Sequence, residues 1–373
     1  MRASWTCLVG LSLILLIGCD SEDDNLVTTD SGTPDSGTQS ALPALPGYSV
    51  SVWAKGVRDG GPSDYYNPDS IDWDGTHVWV GFQNTTTKDG SAPNGSSTIV
   101  EYTADGLTVV NSWSVPGHCD GMRWDATTQK IWATSNEDDN PIFYSVNPST
   151  PGDAGVTIYT QHYTDPLFSG KVTPHGGGLD DLYFINGKNF ATGSNPQSPT
   201  LSGPALYVWS VDGGTVTLTG VLNGNGAAVD QFGSPVTLNE IDPDSLSKDS
   251  SGNLVQIDQG GQDFLVIADA GTASQSVTKY TMGTQLDDTI WVPTNTAGSL
   301  LVADASKNTI WKVTGPYTAG QIITQLPNDS SVIGLLGIVD VSDATVTADG
   351  FGTVAPFVIG MGKPTGLIWF PVP

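Results

Sequence analysis

Two histidines stand at one place in a recurring five-residue pattern, and aspartates crowd the same and neighbouring places in its other copies. The pattern has a free first position, a second that is often Pro, a small or acidic third, a small fourth and an apolar fifth that starts a strand. Its copies are Asn67-Pro68-Asp69-Ser70-Ile71, His118-Cys119-Asp120-Gly121-Met122, His175-Gly176-Gly177-Gly178-Leu179, Asp242-Pro243-Asp244-Ser245-Leu246, Leu286-Asp287-Asp288-Thr289-Ile290 and Lys363-Pro364-Thr365-Gly366-Leu367. Imidazole nitrogens and carboxylate oxygens gathered at one mouth are donors for a divalent cation, and the excess of oxygen favours Ca²⁺, Mn²⁺ or Mg²⁺. Packed together without a cation, such carboxylates repel and raise one another's pKa values. The expected ligand-binding residues are His118, His175, Asp69 and Asp242, and the expected metal donors are His118, His175, Asp69, Asp120 and Asp244. Another reading of the same residues stays open. An Asp before Ser or Gly at a strand start is also an ordinary turn cap, and a His there can simply hydrogen-bond within a wall.

Other chemistry is weaker. Cys119 sits beside His118, but a lone Cys in a turn is more often incidental than nucleophilic. His175-Gly176-Gly177-Gly178 resembles the oxyanion loop of lipases, yet no G-x-S-x-G partner accompanies it, so it reads as a glycine-rich turn. His77 and His162 read as surface residues.

The elements that position these residues are strands. In Ser299 to Gly315 an apolar run ends at Val302-Ala303-Asp304, a polar turn follows at Ser306-Lys307-Asn308, and Thr309 to Val313 answers it as an antiparallel hairpin. Variants recur along the chain. Second strands are expected at His77–Val80, Lys130–Ala133, Lys188–Ala191, Asn253–Gln256 and Ser299–Val302. Third strands are expected at Ile99–Tyr102, Ile142–Ser145, Leu206–Trp209, Phe264–Ile267 and Ile310–Val313. The pattern starts at residues 67, 118, 175, 242, 286 and 363, which fits propeller blades of about 40–50 residues carrying loop insertions. The expected fold is all-β: a six-bladed β-propeller over residues 47–373, with a closing blade assembled from N- and C-terminal strands. Tyr48 to Trp53 is the donor expected to join Leu367 to Phe370, with Leu335 to Val341 and Phe357 to Gly360 as others. Connections between second and third strands add Asn84, Asn136, Glu137, Asn195, Asp258 and Asp304 to the face that carries the pattern.

At the level of motifs, LLVADASKNTIWKV resembles an NHL-type repeat. PDSIDWDG with its following strand is similar to strand starts in SMP-30/gluconolactonase and strictosidine-synthase-like propellers. That resemblance implies a scaffold whose members range from lactone hydrolysis to protein binding. The gluconolactonase likeness implies a divalent metal held at the channel mouth by a Glu, two Asn and an Asp, where it polarises a lactone carbonyl. Asp69 stands near the place of the Glu, and Asn136 and Asn195 supply amide oxygens. The sequence departs from that pattern in having Asp for Glu and in its pair of histidines.

Composition narrows the function. The formal net charge is −26 with only 13 Lys and Arg, so no basic stripe exists to displace counterions from nucleic acid. An oxidoreductase with a quinone or other cofactor on the same face is a further reading, and the same lack of a basic cluster weighs against a multiply anionic one. Residues 1–18 read as a secretory signal: Arg2 gives a positive start, and Leu8 to Ile17 is an apolar run too short to span a membrane comfortably. Leu16-Ile17-Gly18-Cys19 resembles the bacterial lipobox, which implies cleavage before Cys19 and its acylation. Residues 19–46 read as a disordered acidic Ser/Thr/Asp/Gly/Pro tether. Cys7 would leave with the signal and Cys19 carry lipid, so Cys119 has no disulfide partner. The expectation is a lipid-anchored cell-envelope protein, held to a bacterial membrane through its N-terminal lipid. It would act as a binding or scaffold module for a protein or glycan partner. The alternative is a divalent-metal-dependent hydrolase or lyase with its site at the channel mouth.

Overall fold

The computed structural model describes residues 42–371 apart from 62–63, 92–94, 165–176, 197–199, 296, 328–332 and 343–350. Cys19, the signal, most of the tether and His175 lie outside the described residues.

The described chain is all-β, and its helical content is one 3₁₀ turn at Asp153–Gly155. The first strand is β1 (Ser49–Lys55). An antiparallel run follows: β2 (Pro68–Trp73), β3 (His77–Phe82), β4 (Ser96–Thr103) and β5 (Val109–Pro116). A second comprises β6 (Cys119–Asp125), β7 (Lys130–Ser135), β8 (Ile142–Val146) and β9 (Val156–Tyr163). The third is β10 (Leu182–Ile185), β11 (Lys188–Thr192), β12 (Pro204–Asp212) and β13 (Thr215–Asn223). A small hairpin, β14 (Ala227–Asp230) and β15 (Pro235–Thr237), precedes the fourth run: β16 (Pro243–Lys248), β17 (Leu254–Asp258), β18 (Asp263–Ala268) and β19 (Ser276–Thr281). Then come β20 (Thr289–Trp291), the hairpin β21 (Ser299–Asp304) and β22 (Thr309–Thr314), β23 (Ile322–Leu326), β24 (Gly334–Asp340), β25 (Thr353–Met361) and β26 (Pro364–Phe370).

The small hairpin joins the fourth run through parallel pairing of β14 with β19, Val229 opposite Thr278. Pairing between the other runs is local except at two places. The outer strands β9 and β13 pair in parallel, Thr160 opposite Thr215 through Tyr163 opposite Leu218, which fuses the second and third runs into one eight-stranded sheet. The second exception concerns the end of the chain. β20 pairs with β23, and β24 and β25 complete that sheet, while β21 and β22 leave it to join β1 and β26 in the order β1-β22-β21-β26. Tyr48–Trp53 and Leu367–Phe370 thus meet in one sheet, on either side of an inserted hairpin. Several strands sit in other sheets than the sequence suggests. Ser299–Val302 and Ile310–Val313 belong to the sheet of β26, not to the Leu286 copy, and Leu335–Val341 and Phe357–Gly360 belong to the sheet of β20. The reason is that a hairpin's local pattern specifies its turn but not which distant strand it joins.

Six apolar clusters lie between successive runs. Trp79, Trp113, Ile131 and Tyr144 join the first run to the second, and Phe143, Tyr207 and Trp209 join the second to the third. Phe190 and Leu265 bridge the third and fourth, Phe264 and Leu335 the fourth and the β20 sheet, and Leu336, Phe357 and Trp311 the β20 sheet and the β26 sheet. Phe370, Ile310, Val80 and Phe82 return from the β26 sheet to the first run. Trp79 is fully buried and stacks on Trp113 at 5.4 Å between centroids. Removing such a ring from water contributes on the order of 4–6 kcal/mol gross. Pro43 and Leu45, at the end of the span assigned to the tether, hydrogen-bond to Ile359 and Phe357 of β25.

Two features of the inner strands aim the site residues. β2, β6 and β16 each open with a register shift, between Pro68 and Ile71, Cys119 and Met122, and Pro243 and Leu246. A bulge there re-aims the residues between its flanks, among them Asp69, Asp120 and Asp244. The small fourth position follows from close approach. A Cβ on Gly121 would stand 2.2 Å from the Asp180 carbonyl oxygen, and one on Gly366 would stand 1.9 Å from that of Asp69.

Candidate metal centre at the inner-strand mouth

The openings of the inner strands surround a cavity of about 60 Å³ whose walls include the carboxylates of Asp69, Asp120, Asp180, Asp244, Asp287 and Glu137. The backbone shows why Asp180 and Asp287 belong there. Asp180 N–H donates to Thr192 O and Asp287 N–H to Gln325 O, the same bond in two runs. The third copy of the pattern is therefore Gly178-Leu179-Asp180-Asp181-Leu182, and the fifth is Gln285-Leu286-Asp287-Asp288-Thr289. This moves the third-position residues from Gly177 to Asp180 and from Asp288 to Asp287. The corresponding place in β26 holds Thr365, whose hydroxyl donates to Pro68 O at 3.2 Å.

His118 is 7% exposed and its ring is fixed by Thr86. Nδ1 lies 3.1 Å from Thr86 O and 2.9 Å from Thr86 Oγ1. A carbonyl only accepts, and the Thr86 hydroxyl gives its proton to Gln83 O at 2.5 Å. Nδ1 therefore carries the ring proton, and Nε2 presents its lone pair. Nε2 has no hydrogen-bond partner among the described residues and lies 3.5 Å from Asp120 Oδ1. Burial, ahead of the other influences, pulls the imidazole down to about 4, so it is neutral near pH 7.

Around it, Asp120 accepts Gln83 Nε2 at 3.3 Å and the Glu137 N–H at 3.2 Å. Glu137 is ion-paired with Lys88. Asp180 and Asp244 stand together with Glu137 in one donor group, and Gln259 Nε2 donates to Asp244 at 3.3 Å. Asp180 Oδ2 has no hydrogen-bond partner among the described residues. Burial, then neighbouring negative charge, pushes Asp120, Asp180, Asp244 and Asp287 well above the usual carboxylate range. The same causes bring Asp69 up to about 7.

Two donor groups share Glu137: His118, Asp120 and Glu137, and Glu137, Asp180 and Asp244. Within each, one ligand atom per residue lies within 4.8 Å of the others. One nitrogen lone pair and several carboxylate oxygens form a donor set that fits Mn²⁺, Mg²⁺ or Ca²⁺.

Next to these residues, one buried cation stands among three further carboxylates. Arg123 Nη2 lies 2.6 Å from Asp181 Oδ2, with Asp72 and Asp288 also acting on it. These three carboxylates take backbone N–H groups of the next inner strand: Asp72 from Trp124 at 2.6 Å, Asp181 from Leu246 at 2.8 Å and Asp288 from Leu367 at 2.8 Å. Arg123 also lines a second cavity of about 450 Å³, walled by Tyr183, Leu246, Lys248, Trp291 and Trp369.

Asp69, Asp120 and Asp244 line the cavity, His118 lies against Asp120 without lining it, and Asp242 accepts the Ser194 hydroxyl at 2.9 Å outside the cavity walls. Asn136 is a turn residue at φ 70 whose Oδ1 accepts the His118 N–H at 2.9 Å and whose Nδ2 donates to Asn140 O. Asn195 is likewise at positive φ and does not line the cavity. Asp258 and Asp304 take backbone N–H groups of Asp242, Lys363 and their neighbours. Glu137, named on this face but not among the expected donors, is the residue both groups share. Asp180 and Asp287 were missed, and the signal for Asp180 was the string Leu179-Asp180-Asp181-Leu182, whose outer residues are apolar. His77 is half-buried, with Nδ1 3.0 Å from Glu101. Cys119 is fully buried, and burial pushes its thiol up.

No known family profile matches the chain, and no curated protein matches it. Solved structures do. The periplasmic gluconolactonase PpgL of Pseudomonas aeruginosa is 11% identical with a TM-score of 0.47, covering 89% of this chain and 99% of its own. A putative 6-phosphogluconolactonase from Bacteroides fragilis is 14% identical with a TM-score of 0.45, over 90% and 99%. Virginiamycin B lyase from Staphylococcus aureus is 12% identical with a TM-score of 0.41, over 86% and 92%.

Proposed function

We propose that this chain is a six-bladed β-propeller that binds one divalent cation at the inner-strand mouth and works there as a hydrolase or lyase. The six-blade reading is supported by inner strands heading six four-strand groups, with apolar clusters that run from each group to the next and back to the first. The observation that carries the metal reading is the unshared lone pair of His118 Nε2 facing Asp120 in one donor group with Glu137, through which a second group brings in Asp180 with its unpartnered oxygen. His118, Asp120, Glu137, Asp180 and Asp244 would hold the ion, with Asp69 and Asp287 beside them.

When bound, the cation would supply charge stabilisation for a polarised carbonyl or leaving oxygen. The chain's own groups supply the rest. Asp69, which stands beside the ion without holding it and is brought up to about 7, is the carboxyl able to keep and pass a proton near neutral pH. Lys88 holds the Glu137 carboxylate in place, and the Gln83 and Gln259 amides orient Asp120 and Asp244. The surplus of negative charge selects against polyanionic substrates and favours neutral polar ones, such as a cyclic ester.

The second reading is a binding or scaffold module for a protein or glycan that catalyses nothing. It is favoured by the Lys88–Glu137 ion pair, which already offsets charge at the shared carboxylate. Metal analysis of the purified protein, with calorimetry against Ca²⁺, Mn²⁺, Mg²⁺ and Zn²⁺, separates the two. Ion binding that is lost with Glu137→Gln supports the first. No binding of any of these at the mouth leaves the second. On either reading the chain is proposed to be exported and lipid-anchored at Cys19, on the strength of the apolar-small-Cys junction and the tether after it.

A further inference from the structure

Away from the mouth, the fourth run contains a fully enclosed group of oxygen atoms that nothing in the proposed function uses. Asp258 ends β17 and Asp263 begins β18, so the two stand directly opposite each other in register. Like charges so placed repel. Glu240, from the segment between β15 and β16, completes a trio whose ligand atoms lie within 4.8 Å of one another. Glu240 and Asp258 are 0% exposed and Asp263 is 2% exposed.

The chain goes only part of the way toward satisfying them. Lys279 Nζ lies 2.5 Å from Asp263 Oδ2, and Thr281 donates to Oδ1 at 3.0 Å. The Asp258 carboxylate accepts the N–H groups of Ile241 and Asp242. Gln256, also 0% exposed, donates Nε2 to Glu240 Oε2 at 2.8 Å. What remains is decisive: neither Glu240 Oε1 nor Gln256 Oε1 has any hydrogen-bond partner among the described residues. Three carboxylates against one ammonium leave two negative charges, the complement of one divalent cation. The donors are carboxylate and amide oxygens without nitrogen or sulfur, which is the chemistry of a hard ion.

We infer that Glu240, Gln256, Asp258 and Asp263 form a second cation site, of the calcium class, that fastens the segment between β15 and β16 to the β17–β18 hairpin. It is independent of the site at the mouth. The test is calorimetry and thermal melting of the whole chain with Ca²⁺, in wild type, Glu137→Gln and Glu240→Gln. The expected result is a Ca²⁺-dependent rise in melting temperature that survives Glu137→Gln and is lost with Glu240→Gln. A rise unaltered by Glu240→Gln overturns the inference, as does a site that prefers Zn²⁺ to Ca²⁺. Should Glu240→Gln fail to fold, Gln256→Met and limited proteolysis of the wild type keep the question open to decision. Ca²⁺ should slow cleavage between residues 237 and 242 relative to chelator, and equal cleavage with and without Ca²⁺ overturns the site.

Discussion

His118 Nε2 faces Asp120 Oδ1 across 3.5 Å with a lone pair on each side, because Thr86 takes the proton at Nδ1. Removing the imidazole should therefore remove an ion ligand without removing a structural hydrogen bond at Nε2. His118→Ala is expected to abolish the metal-induced stabilisation at the mouth, which at a hundredfold excess over Kd is about 2.7 kcal/mol. Melting curves with and without Mn²⁺ measure this, and a variant that keeps the full shift would refute the ligand role.

The pH dependence follows from opposed shifts. Asp69 and Asp288 titrate at about 7 in the folded protein and Asp258 at about 6, against 3.8 ordinarily. Between 3.8 and those values the folded state holds protons that the unfolded chain has released, so stability falls as pH rises through the window. His118, at about 4 against 6.5, acts oppositely, and its contribution is lost as pH falls. The carboxyls outnumber the imidazole. Metal-free protein is expected to melt higher at pH 5 than at pH 8, and saturating divalent ion should narrow the gap. Chelator-treated samples melted across that range decide it; a metal-free protein more stable at pH 8 contradicts the assignment.

Arg123 is the buried cation between inner strands. Arg123→Met leaves Asp181 without its 2.6 Å partner and is expected to cost roughly 3–5 kcal/mol, read by urea unfolding. Adding Asp181→Asn should restore part of it, since the amide oxygen still accepts the Leu246 N–H. Absence of any recovery would mean the loss comes from packing alone.

Acylation at Cys19 is checked by metabolic labelling with a fatty-acid analogue. The wild type should be marked and Cys19→Ala unmarked; equal labelling removes the anchor from the proposal.

The strands were legible because alternation is local: Lys130–Ala133 and Phe264–Ile267 fall inside β7 and β18. The site was legible where Pro or Cys precedes Asp and a bulge follows. It was not legible at Asp180, because the glycines of 176–178 imitate the small positions a few residues too early. Asp287 was missed by a single-residue slip, since Thr289 holds the place where an apolar residue was sought. The partner of the Ser299–Gly315 hairpin was beyond a local reading, as β26 lies more than fifty residues downstream.

That hairpin also dictates the order in which the domain can be completed. β1 finds its neighbour only when β22 exists, and β20 only when β23 does. A chain emerging N-terminus first therefore carries β1 as a bare edge while four whole runs assemble behind it. Every polypeptide that stops short of residue 309 keeps both orphans, whatever the quality of its other sheets. Such a chain also lacks Lys363 and Thr365 of the cavity wall, so it is expected to present two open edges and an incomplete mouth at once, read as lost solubility and raised protease sensitivity whatever the state of its four finished runs.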